Sequence, residues 1–177
     1  MQLQTKNSLK STNRASLVAK AGMLTAIAMI FSYIEAIIPF NFGIPGIKLG
    51  LPNLVILIAL YEISLPYAFI ISLVRILLSG LLFGNVFGTV YSLAGGILSL
   101  LVMAGLKKTG LFSMAGVSMA GGVAHNMGQL LVAAFVVSDL RMFIYFPVLM
   151  FSGLITGIII GLTGLYLDSR LPKALFR

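Results

Sequence analysis

The sequence predicts an all-α integral membrane protein built as a bundle of six transmembrane helices, and three observations carry that fold class. The 177 residues are 59% hydrophobic and only 9% charged, with a mean hydropathy of +1.09, whereas a soluble domain carries about 25% charged residues. Apolar runs of helix length recur along the whole chain. The basic residues that give the formal charge of +8 gather at the ends of those runs. A basic stripe interleaved with aromatics, which would track a phosphate backbone, is missing, so the charge points to membrane boundaries and not to nucleic acid.

Residues 1–16 read as a cytoplasmic tail, polar and flexible from Gln2 to Asn13. The first span, 17–38, has an apolar run longer than the usual signal-peptide core of about 7 to 15 residues, so it reads as a retained helix. The spans that follow are 49–64, 66–83, 86–106, 111–137 and 144–167, which makes one transmembrane domain over 17–168 and a basic cytoplasmic C-terminus over 169–177. Only Glu62, Ser64 and Pro66 punctuate the join between the second and third spans. A span as short as the second requires a thinned bilayer or protein cover.

Orientation follows from lysine and arginine placement. With the N-terminus inside and six spans, Lys6, Lys10, Arg14, Lys20, Lys107, Lys108, Arg170, Lys173 and Arg177 are cytoplasmic, leaving Lys48 and Arg141 outside. An odd number of spans would split the two basic termini.

Small residues indicate how the helices pack. Gly153, Gly157 and Gly161 form a ridge at every fourth position of the last span, and Ser92 with Gly96, Gly95 with Ser99, and Ser118 with Gly122 repeat the spacing elsewhere. Such ridges let backbones approach closely. Ala15, Ala19, Gly22 and Ala26 form a similar line on the cytoplasmic half of the first span, where a partner helix has room to dock.

Polar residues inside apolar spans mark the candidate site, because a charged side chain at the bilayer centre costs about 2.5–3.5 kcal/mol even on insertion scales and faces a cavity or a partner. Arg75 lies about 13 Å from Pro66, at about 1.5 Å per residue, near the midplane of the third span. On the fifth span His125 and Gln129 share a face and Asn126 stands about 100° round from His125, so the three form a polar sector. Gly121 and Gly122 clear space one turn below. The loop from Pro39 to Lys48 combines two prolines and two glycines with Phe40, Asn41 and Phe42, so it reads as a lid folded back on the bundle. Lys48, Asn53 and Glu35 fall on the same outer side, and Glu35 is placed to neutralise Lys48.

Catalytic patterns are sparse. One histidine and four scattered acids, Glu35, Glu62, Asp139 and Asp168, offer no acid–base pair and no metal cluster. The chain has no cysteine and no GxxxxGK[ST] phosphate loop.

The runs Lys48-Leu-Gly-Leu-Pro-Asn53, Arg75-Ile-Leu-Leu-Ser-Gly80, Tyr91-Ser-Leu-Ala-Gly-Gly96 with Ser99, and His125-Asn-Met-Gly-Gln129 resemble the bacterial membrane family called heptaprenyl diphosphate synthase component I, also called the Gx transporter family. That family is similar in turn to the substrate-binding S-components of energy-coupling factor (ECF) transporters. The resemblance implies six helices, an outward-facing pocket under a first-loop lid, and an alanine motif on the first helix, matched by Ala15 and Ala19, that docks on a transmembrane coupling subunit. It also implies the bacterial cytoplasmic membrane as the location. Chain-elongating prenyl synthases carry Asp-rich DDxxD motifs, and this sequence has no two adjacent acids.

The expected function is therefore a substrate-binding membrane subunit of an ECF-type importer without catalysis of its own. It would capture a small anionic or amphipathic molecule, such as an isoprenoid or quinone precursor or a vitamin. Lys48, Arg75 and His125 would attract the anion, Asn53, Asn126 and Gln129 would orient polar atoms, and Tyr91 with Phe40 and Phe42 would cover an apolar part. No cofactor is expected in the chain, and ATP would be used by separate ATPase subunits. The alternative is a non-catalytic membrane accessory of heptaprenyl diphosphate synthase.

Overall fold

The computed structural model describes residues 2–38 and 49–170, with side chains from Arg14 onward. Among the described residues all regular structure is helical: α1 (Gln2–Ile37), α2 (Leu51–Glu62), α3 (Leu65–Phe83), α4 (Val86–Thr109), α5 (Met114–Val137), a 3₁₀ turn (Leu140–Tyr145) and α6 (Phe146–Arg170). The stretch from Gln2 to Asn13, expected as a flexible tail, continues α1 as helix. No proline or glycine precedes Gly22, so nothing in the local sequence breaks the backbone there.

Turn chemistry sets the other boundaries. Pro52 and Pro66 sit in the first turns of α2 and α3, where a missing N–H costs nothing. Asn85 caps α4 by accepting from the Gly88 N–H at 2.7 Å, and Ser113 caps α5 through the Gly116 N–H at 3.2 Å. Gly110 ends α4 in the left-handed region at φ 67°, which suits a residue without Cβ.

Five helices are long and apolar enough to cross a membrane, counting α1 from Arg14 and α6 with its preceding 3₁₀ turn. The exception is α2: its 12 residues rise about 18 Å, against a hydrocarbon core of about 30 Å. It is instead the buried axis of the bundle, with every residue from Leu54 to Leu60 buried. A helix that is apolar all round needs protein on all sides. Both of its ends are tied. The Leu51 N–H donates to Glu35 Oε1 of α1 at 2.8 Å, and Lys107 Nζ of α4 donates to the Leu60 carbonyl at 2.6 Å while lying 4.6 Å from the centre of the Tyr61 ring.

The bundle divides into two groups. α1, α2 and α3 pack on one another, while α4 and α6 each pack on α5, with α5 against α6 the most extensive contact; α3 meets α4 and α2 meets α6 across the divide. The glycine ridge of α6 makes the α5–α6 seam. Gly153 lies on Gly122, a Cβ added to Gly157 would fall 2.6 Å from the Met119 Cα, and one added to Gly161 would fall 2.5 Å from the Ala115 Cα. Asn126 Nδ2 donates to the Leu149 carbonyl at 2.7 Å across the same seam. The outward surface is apolar, with Leu81, Val86, Phe135 and Leu140 among its most exposed side chains, a covering suited to lipid.

Candidate functional site

Between the two helix groups runs a cavity of about 240 Å³. Along α4 it is lined from Gly88 to Met103, a length of roughly 22 Å at the helical rise. Its walls come from the C-terminal end of α1 (Ser32, Glu35), the start of α2 (Pro52, Asn53), the second half of α3 from Arg75 to Phe83, and facing residues of α4, α5 and α6.

Arg75 is the basic charge in the wall, and Glu35 the acidic one. The arginine is 8% exposed, and its Nε and Nη2 are buried with no hydrogen-bond partner among the described residues. Glu35, on the same cavity, acts on it through space, but the Glu35 carboxylate also caps α2 through the Leu51 N–H. An arginine with two buried nitrogens left unmatched carries a desolvation cost of several kcal/mol, and a ligand oxygen is the kind of acceptor that offsets it.

The fifth helix supplies the opposite wall. His125, Asn126 and Gln129 all line the cavity together with Ser118, Gly121 and Gly122. Gln129 is 2% exposed and its amide makes no hydrogen bond with any described residue, so its free donor and acceptor face the cavity. Asn126 differs, because its amide nitrogen is committed to Leu149 and it serves the α5–α6 seam as well as the wall.

Arg75, His125, Asn126, Gln129 and Asn53 are thus brought together around one space. Tyr91 is not. It stacks on Phe87 with ring centres 5.9 Å apart, while Gly88, Ser92 and Ser99 form the cavity side of α4. One residue along a helix turns the side chain by about 100°, which takes Tyr91 off the face that Ser92 occupies. Lys48 and the lid residues Phe40, Asn41 and Phe42 lie outside the described residues. Ala15 and Ala19 are exposed on α1, far in sequence from the cavity residues Ser32 and Glu35 of the same helix.

Sequence reasoning missed the hydroxyls. Ser99 and Ser118, each 4% exposed, line the deep part of the cavity beside Met103 and Gly121. Their spacing to Gly95 and Gly122 marks them as packing positions, which Ser118 also is, since its Cβ lies 3.0 Å from where a Cβ on Gly161 would stand. Their signal was available in the helical register, because Ser118, Gly122, His125 and Gln129 recur at spacings of four, three and four on one face. Among the described residues no three metal-binding side chains gather.

Neither a curated protein nor a solved structure is similar enough to this chain to count as a match. A family model does match, over residues 24–167. That stretch holds every described residue of the cavity, α2 to α5 whole, most of α6 and the C-terminal part of α1. The chain belongs to the heptaprenyl diphosphate synthase component I family.

Proposed function

We propose that this protein is a membrane-embedded, non-catalytic component that holds a small anionic molecule in the cavity headed by Arg75. The observation that carries the reading is the buried guanidinium of Arg75 on the wall of a cavity large enough for a ligand, with its Nε and Nη2 unpartnered among the described residues. Family membership favours the setting: an accessory to a prenyl diphosphate synthase, retaining a small anion at the membrane while a separate subunit performs the chemistry. The lack of paired acids in this chain supports that division of labour.

A second reading rests on a different observation. Ala15, Ala19 and Ala26 are exposed on α1, and a Cβ added to Gly22 would meet nothing within 4 Å, so the N-terminal half of this helix presents a shallow face on which another helix can lie. That suits the substrate-capture subunit of an ECF-type importer, with α2 crossing as a short, protein-covered sixth helix, both termini cytoplasmic and ATPase subunits elsewhere.

Affinity purification of the full chain from its host membrane separates the two. A copurified prenyl synthase subunit, whose turnover rises when this protein is restored to it, is the expected result of the accessory reading. Copurified ATPases and ATP-dependent accumulation of a ligand in vesicles, with no effect on a synthase, would replace it with the import reading.

A further inference from the structure

The cavity wall has a chemistry of its own beyond Arg75. Facing the Arg75 level is the carboxamide of Gln129, whose Cγ lies against Gly95, and deeper, towards Met103 and Gly121, are the hydroxyls of Ser99 and Ser118, all at least nine-tenths buried and none hydrogen-bonded to a described residue. Other hydroxyls of the wall are already committed to their own helices: Ser32 donates to the Ala28 carbonyl at 2.9 Å, Thr89 to the Asn85 carbonyl at 2.9 Å and Thr156 to the Ser152 carbonyl at 2.9 Å. Buried polar groups without protein partners call for a partner of another kind. A carboxamide offers one donor face and one acceptor face side by side, and hydroxyls do either.

From this arrangement we infer that the ligand is a compact polar anion: a single carboxylate or phosphate at Arg75, joined to a body bearing hydroxyl or amide-type groups that Gln129, Ser99 and Ser118 read. This rests on the proposal that the Arg75 cavity binds an anion, and it narrows the ligand class. A prenyl chain in the same place would press hydrocarbon against an amide and two hydroxyls and leave all three unmatched, which a site built for hydrogen bonding rejects strongly. Met103 closes the deep end: a Cβ added to Gly121 would lie 2.6 Å from the Met103 Cγ and 3.2 Å from the Ser99 hydroxyl. Among the described residues the space beyond Ser99 is therefore bounded by Met103 against Gly121, which leaves little room there for a long tail.

The test uses two probes with the same head and opposite bodies, uridine monophosphate and geranyl monophosphate, titrated against the full chain in detergent. Alongside it, small molecules are extracted from the protein as purified from its host and identified by mass spectrometry. Uridine monophosphate binding at least about tenfold more tightly, with the preference lost in Gln129→Leu, is the expected result. A compact polar anion extracted from the wild type, and depleted from Gln129→Leu, supports the inference equally. Ser99→Ala, which removes only an oxygen, replaces the leucine variant if that one does not fold. Equal or tighter binding of geranyl monophosphate, or extraction of a prenyl species, overturns the polar ligand class while leaving the anion site in place. No binding of either probe together with no extracted anion overturns the anion site itself.

Discussion

Arg75 is a costly residue to bury and supplies the arginine charge of the cavity wall, opposite in sign to Glu35 on the same wall. Its cost and its use are separable by mutation. Arg75→Met keeps most of the side-chain length and removes the buried charge, so the ligand-free protein should gain thermal stability. Ligand affinity should fall by at least about 2 kcal/mol, about thirtyfold, the low end for deleting one partner of a buried charged pair. Melting and titration on detergent-purified protein check both signs. A purely structural arginine gives the opposite pattern, with stability lost and binding unchanged. Asn126 shows how one position serves two ends, since its amide nitrogen is spent on Leu149 and only the rest of the group remains for the cavity.

At the level of helices, the α5–α6 seam is the firmest joint and its tolerance is calculable from the glycines. A leucine at Gly157 has the Met119 Cα 2.6 Å and the Ser118 carbonyl oxygen 2.7 Å from its Cβ. Both are backbone atoms that cannot rotate away, and overpacking of this kind costs about 1–3 kcal/mol or more. Gly105 on α4 has nothing within 4 Å of an added Cβ. Gly157→Leu should therefore lower the melting temperature and distort the wall that carries Ser118, while Gly105→Leu should leave both unchanged or slightly raise stability through helix propensity. Circular dichroism melts of the two variants side by side decide it. The same comparison shows why the ridge was legible: residues 153, 157 and 161 repeat every turn, and small residues at that period have one dominant use in apolar helices.

For the whole molecule, the all-helical bundle and the cluster of Arg75 with His125, Asn126 and Gln129 were readable in advance, because an ionisable or amide group in an apolar run is conspicuous. Tyr91 was misplaced because composition cannot tell which side of a helix faces inward where nearly every residue is apolar; only Ser92 next to it turns to the cavity. Ser99 and Ser118 were hidden for a related reason, since a serine that packs and a serine that binds look alike in one dimension. The second span was legible as short and in need of a thinned bilayer or protein cover, but not which of the two: a run of apolar residues looks the same whether lipid or protein surrounds it, and here α2 is enclosed by its neighbours.

That enclosure makes α2 a clock for the molecule. Its seven consecutive buried residues, Leu54 to Leu60, cannot meet solvent by fraying, since Glu35 holds the first turn and Lys107 the last carbonyls. Their amide protons should exchange with deuterium only when the surrounding helices part, so their rate reports the opening of the entire bundle while the flanking helices report local events. Lys107→Met should release the far end and let Ala59 and Leu60 exchange ahead of Leu54. Uptake that stays uniform along α2 in that variant would mean that the tie is not what keeps the time.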